Sequence, residues 1–158
     1  MPNIKLETGK AAPNFSLPAN EGTVSLGDFK GKNVVLYFYP KDDTPGCTIE
    51  AQDFSKKAPE FEKLDCVIFG ISRDSVKSHC NFIEKYNLSF NLLADINGEV
   101  CDKYGVIKEK SMFGKKYFGI DRSTFLINKM GKIARIWTSV KVKGHVEEVL
   151  KSLSEIEK

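Results

Sequence analysis

The chain has 158 residues, 41% of them hydrophobic, which suits one domain with a buried core. Its 24 Lys and Arg against 21 Asp and Glu leave a net charge of +3, spread without a basic arm interleaved with aromatics, so nucleic-acid binding is not indicated. No apolar run approaches the ~20 residues that span a bilayer, and the first stretch, MPNIKLETGKAAPNF, lacks the apolar core of a signal peptide; a cytoplasmic protein with reduced thiols is expected.

In chain order, residues 14–26 (NFSLPANEGTVSL) read as a hairpin turning at Asn20–Gly22, and GDFKGK as a turn. NVVLYFY, residues 33–39, is a continuous apolar run, as in a strand covered on both faces. A helical pattern runs from Thr48 to about Leu64, where Pro59 should kink or split it. CVIFGIS is a second buried strand, and residues 74–87 form a helix with Asp74 as N-cap. FNLLAD is a short strand, GEVCDKYGV a short helix ended by Gly105, and residues 108–122 a Lys- and Gly-rich loop. STFLIN and KIARIWTSV are antiparallel strands joined at Asn128–Gly131, and residues 145–158 close the chain as an amphipathic helix. A hairpin, alternating βα units and a closing β-β-α predict an α/β thioredoxin-like fold with a central mixed sheet flanked by helices, in one domain over residues 1–158.

The four cysteines (Cys47, Cys66, Cys80, Cys101) suit neither a disulfide scaffold nor a zinc site, and His79 and His145 add no metal-ligand spacing. No metal or other cofactor is expected. In YFYPKDDTPGCTIEAQDF, Cys47 follows Pro45-Gly46 at the start of a helix, where free backbone N–H groups and the helix dipole favour an anion. Thr44 offers a hydroxyl to a thiolate or to a bound oxygen, and Pro40 can shield the sulfur from water. Arg122, just ahead of the strand STFLIN, is poorly explained by packing and could supply a fixed positive charge.

The spacing PKDDTPGC fits the Pro-x-x-x-Thr-x-x-Cys motif, and together with PGCTIEA, GISRDSVKSH, FNLLAD and RSTFLIN the chain resembles the peroxiredoxins of the PrxQ subfamily, also called bacterioferritin comigratory proteins. That resemblance implies a thiol peroxidase acting on hydrogen peroxide and organic hydroperoxides. Cys47 would be the peroxidatic nucleophile, Thr44 the group that orients peroxide and thiolate, Arg122 the cation that stabilises the thiolate and the breaking O–O bond, and Pro40 the shield. Backbone N–H groups of Gly46 and Cys47 would act in the manner of an oxyanion hole. Glu50 fits the subfamily pattern, and also reads as a solvated first-turn carboxylate. The reductant would be thioredoxin or a glutaredoxin-like protein, and the protein a monomer.

The commonest PrxQ pattern places a resolving cysteine five residues after the first, where this chain has Gln52. Cys66 and Cys101 read as packing residues. Cys80, at the border of the apolar face of its helix, is the candidate resolving thiol, and a disulfide with Cys47 would need the Cα atoms within ~7 Å and an unwound first turn. One-cysteine chemistry with an external thiol is the alternative. A Cys-x-x-Cys disulfide reductase is excluded by Glu50, and a catalytically idle thioredoxin-fold binding or chaperone module is the remaining rival.

Overall fold

The computed structural model describes residues 6–157; residues 1–5 of the N-terminal stretch, and Lys158 of the expected last helix, lie outside them. Strands β1 (Ser16–Pro18) and β2 (Thr23–Ser25) form the expected hairpin, followed by a 3-10 turn over Leu26–Phe29. Then come β3 (Asn33–Phe38), α1 (Pro45–Lys63), β4 (Cys66–Ser72), α2 (Val76–Tyr86), β5 (Asn91–Ala94) and α3 (Glu99–Lys103). The chain continues with β6 (Ile107–Met112), β7 (Lys115–Ile120), β8 (Ser123–Ile127), β9 (Ile133–Trp137) and α4 (His145–Ile156).

The core sheet has the order β5-β4-β3-β8-β9, with β3, β4 and β5 parallel and β8 and β9 antiparallel to their neighbours. The apolar run of β3 has a plain cause. Val34, Leu36 and Phe38 face the hairpin and α3, while Val35 and Tyr37 face the layer of α1, α2 and α4. With no face left for water, every position is filled by an apolar or aromatic residue apart from Asn33, whose amide is hydrogen-bonded. The result is the thioredoxin-like arrangement: mixed sheet, helices on both faces, hairpin in front.

Four expectations are corrected. The helix read from Thr48 starts at Pro45 and is not split by Pro59, which lies within it. Pro59 removes only the donor that would reach the Ser55 carbonyl, and its exposed position between the buried Phe54 and Phe61 lets packing hold the helix together. The N-cap of α2 is Ser75, whose hydroxyl accepts from the Ser78 N–H at 3.1 Å, while the Asp74 carboxylate takes the Asp42 N–H and the Ser72 hydroxyl instead. Residues 108–122 are not a loop: β6 and β7 pair in register from Ile107↔Ile120 to Met112↔Lys115 around a two-residue turn. That turn is Phe113-Gly114, with φ of 53° and 78°, the sign pattern of a type I′ hairpin turn.

Candidate active site

The sulfur is placed by the junction between β3 and α1. Thr44 has the extended backbone of an N-cap, φ −104° and ψ 157°, but its hydroxyl donates back to the Lys41 carbonyl at 2.8 Å and caps nothing in the helix. Pro45, at the first helical position, has no N–H. The N–H groups of Gly46 and Cys47 therefore end the helix without a capping side chain, and the positive end of a 19-residue helix sits at the thiol. Cys47 itself is 1% exposed, against Tyr37, Tyr39, Ala51 and Phe54 in one apolar cluster. Pro40, seven residues before it and just past the end of β3, is exposed.

Arg122, 75 residues further on, reaches this junction through strand register. Ser123 pairs with Phe38, so the residue preceding β8 arrives at the end of β3, beside the start of α1. One guanidinium nitrogen, Nη2, donates to the Cys47 Sγ at 3.5 Å, and Nη1 donates to Glu50 Oε1 at 2.7 Å. Gly46 is required by this approach, because a Cβ there would lie 3.1 Å from Arg122 Nη2. Glu50 is a correction to the solvated reading: it is fully buried, one turn below Cys47, and its Oε2 has no hydrogen-bond partner. Burial pushes its carboxyl up to about 7, with the Arg122 charge pulling the other way. The Tyr37 hydroxyl, equally buried and unpartnered, is held neutral by desolvation and by the nearby Glu50 and Cys47.

A second polar cluster lies under the same loop, formed by residues of the PKDDTPGC and GISRDSVKSH blocks that had no role assigned from the sequence. Asp42 accepts from the Tyr39 hydroxyl at 2.6 Å and the Ser78 hydroxyl at 2.8 Å, and pairs with His79 Nδ1 at 2.7 Å. His79 Nε2 faces the Leu93 carbonyl at 2.9 Å. The ring thus bridges the Asp42 carboxylate and the Leu93 carbonyl inside the fold. Lys85 and Tyr86 bind the Asp43 carboxylate from the same helix. The loop before Cys47 is thus tied to α2 through four of its side chains, Ser78, His79, Lys85 and Tyr86.

Cys80 is not brought to this site. It is exposed, and its thiol points to the Asn20 carbonyl at 3.8 Å, on the side of α2 opposite Ser78 and Lys85. Cys66 and Cys101 are buried as expected; burial pushes the Cys66 thiol up to about 12 and the Cys101 thiol higher still. Among the described residues no group of three or more His, Cys, Asp or Glu is placed to hold a metal ion.

The AhpC/TSA family matches residues 8–136. The chain is a member of that family. Peroxiredoxin Bcp of Bacillus subtilis is 49% identical across 97% of this chain and 98% of its own, and the bcp protein of Coxiella burnetii 54% identical across 93% and 98%. The bacterioferritin comigratory protein of Xanthomonas campestris, solved in trapped intermediate and ligand complexes that bear on its alkyl peroxide reduction activity, superposes with a TM-score of 0.89. It shares 44% identity, with 97% of this chain and 98% of that one covered. These relatives place the chain among the peroxiredoxins of the Bcp or PrxQ type. In X. campestris peroxiredoxin Q the two cysteines replaced singly by serine stand 36 positions apart. In this peroxiredoxin Cys80 follows Cys47 by 33, and Ile83 occupies the longer spacing.

Proposed function

We propose that the chain reduces hydrogen peroxide and organic hydroperoxides with Cys47 as the nucleophile. The observation that carries this reading is the Arg122 guanidinium shared between Cys47 Sγ and the buried Glu50, at a helix start whose N–H groups no side chain caps. The thiolate attacks one peroxide oxygen; an S–O bond forms, the O–O bond breaks, and the departing oxygen leaves as alkoxide or hydroxide and takes up a proton to give alcohol or water. Arg122 and the N–H groups of Gly46 and Cys47 stabilise the charge that passes from sulfur to the leaving oxygen. Thr44 serves by turning its hydroxyl onto Lys41, which leaves those donors to the substrate, and by reorienting toward the bound peroxide. Pro40 limits water at the sulfur. Glu50 fixes the fork of the guanidinium.

The sulfenic acid then condenses with a thiol, losing water and forming a disulfide, which thioredoxin or a glutaredoxin-like dithiol reduces by exchange. Cys80 is the internal candidate, after unwinding of the first turns of α1 and α2. A second reading, resolution by an external thiol, is favoured by the outward direction of Cys80 and by its shorter spacing. We place the enzyme in the cytoplasm, as a monomer, where reduced thiols are the default. Mass spectrometry after one equivalent of peroxide, with and without Cys80→Ser, tests both parts. A disulfide lost in the variant supports Cys80; a persistent Cys47 sulfenic acid in the unmutated protein supports the external thiol. Peroxidase activity that survives Cys47→Ser overturns the assignment.

A further inference from the structure

The β6–β7 hairpin is the least expected part of the molecule and the most exposed. Met112, Phe113, Tyr117 and Phe118 are all exposed large hydrophobic residues, and Phe113 is 98% exposed at the tip. Ile96, after β5, is a fifth exposed apolar residue on the same end of the sheet. Phe113 also occupies positive φ, a conformation that favours Gly or Asn over an aromatic residue. A phenyl ring in a strained turn, wholly in water, stabilises nothing within the chain. Contiguous exposed apolar area of this kind marks a contact surface.

The charge around it selects the partner. Four lysines (Lys108, Lys110, Lys115, Lys116) lie on the hairpin, with Lys116 engaging Glu109 at 3.5 Å, Lys108 pairing with Asp121 just past it at 3.0 Å and Lys110 donating to the Ile120 carbonyl, so that the face stays positive. Arg73 braces the hairpin by donating to the Phe118 carbonyl. Two such hairpins would repel one another, so a second copy of this chain does not fit. A groove of about 520 Å³ runs from the hairpin residues Met112 and Tyr117 across Ile96 and Arg73 to Pro40 and Lys41, the residues that lead into the thiol loop. Phe118 lines the same groove, and Phe113 carries the exposed apolar surface past it to the tip, more surface than a small peroxide covers.

We infer that the β6–β7 hairpin is the docking surface for the protein thiol reductant, an acidic dithiol protein with an apolar rim around its reactive cysteine. The inference rests on the peroxidase reading of Cys47. The rings bind the rim, the lysines pair with its acids and steer the encounter, and the groove leads the partner's thiol toward Pro40. The hairpin itself takes no part in the reaction with peroxide.

The test uses the full chain and the variants Phe113→Ser/Phe118→Ser and Lys115→Glu/Lys116→Glu, with three readouts. These are turnover with reduced bacterial thioredoxin or glutaredoxin, turnover with dithiothreitol, and the stopped-flow rate of Cys47 oxidation by hydrogen peroxide. We expect kcat/KM for the better protein reductant to fall at least tenfold in both variants, with the other two rates within twofold of the unmutated protein. Salt should weaken the unmutated protein's use of the protein reductant and leave dithiothreitol turnover unchanged. An unchanged kcat/KM, or no turnover of the unmutated protein with either protein reductant, overturns the inference. So does an equal loss with dithiothreitol, or a dimer in sedimentation that the Phe variant dissociates. Failure of the peroxidase reading is seen separately, as no oxidation of Cys47 in the unmutated protein.

Discussion

At the scale of single residues, two glycines decide what the neighbouring side chains can do. Gly46 lies where a Cβ would stand 3.1 Å from Arg122 Nη2, so Gly46→Ala pushes the guanidinium off the sulfur by a few tenths of an ångström while adding a better helix former. The expected outcome is a split: thermal stability equal or slightly higher, and the rate of Cys47 oxidation in stopped flow lower by roughly tenfold. Gly70, on β4, has the opposite character. A methyl group there would lie 2.7 Å from Leu92 Cδ2 and 2.8 Å from the Tyr37 ring and hydroxyl, inside a core that cannot give way. Gly70→Ala should cost about 1–3 kcal/mol in urea unfolding, the usual penalty for an overfilled interior. The contrast lies in what each methyl would displace: at Gly46 the end of a long side chain, at Gly70 packed core.

At the scale of elements, the loop before Cys47 and helix α2 behave as one unit. The Asp42–His79 pair is buried at its centre, and removing the ring leaves a buried carboxylate without one of its hydrogen-bond partners. His79→Phe is expected to cost about 3–5 kcal/mol and to raise amide hydrogen exchange across α2 and residues 41–44 more than across β8 and β9. The two partners stand in the blocks PKDDTPGC and GISRDSVKSH, but their pairing is not visible in the sequence, because 37 residues separate them and neither sits in a periodic pattern. The buried strands were legible because continuous apolar runs have one structural explanation, Cys47 and Thr44 as candidates because their spacing matches a family motif, and Arg122 because packing poorly explains a guanidinium just ahead of a core strand. Glu50 was legible as a residue but not as an environment: at the start of a helix a carboxylate normally faces water, and its cation lies 72 positions away. Hairpin β6–β7 was hidden for a different reason. With most side chains exposed on both faces, it shows no alternation of apolar and polar residues, and Phe-Gly is not a turn pair that announces itself.

At the scale of the whole molecule, two buried titrating groups pull stability in opposite directions with pH. Glu50 is pushed from 4.5 up to about 7 by burial, so the folded state holds the extra proton and its contribution is present below pH 4.5 and lost as pH climbs to about 7. His145, buried with its Nε2 on the Thr124 hydroxyl at 2.8 Å, is pushed by burial from 6.5 down to about 4. There the unfolded state holds the extra proton, so its contribution is present above pH 6.5 and lost as pH falls to about 4. Across their shared window the two slopes offset, and the chain should show little change in stability from these groups. Glu50→Gln should unmask a rise of stability with pH between about 4 and 6.5, and His145→Gln a fall between about 4.5 and 7. Urea midpoints across that range check both signs. The burial of Cys47 carries a consequence in time as well as in energy. A sulfur that is 1% exposed is closed to another protein's cysteine. On the proposed route with an external thiol, oxidation needs room only for a peroxide, whereas reduction must wait for the start of α1 to open. The rate of reduction should therefore level off as the reductant is raised, and the plateau is the opening rate of one helical turn, a clock that sets how long the chain stays oxidised.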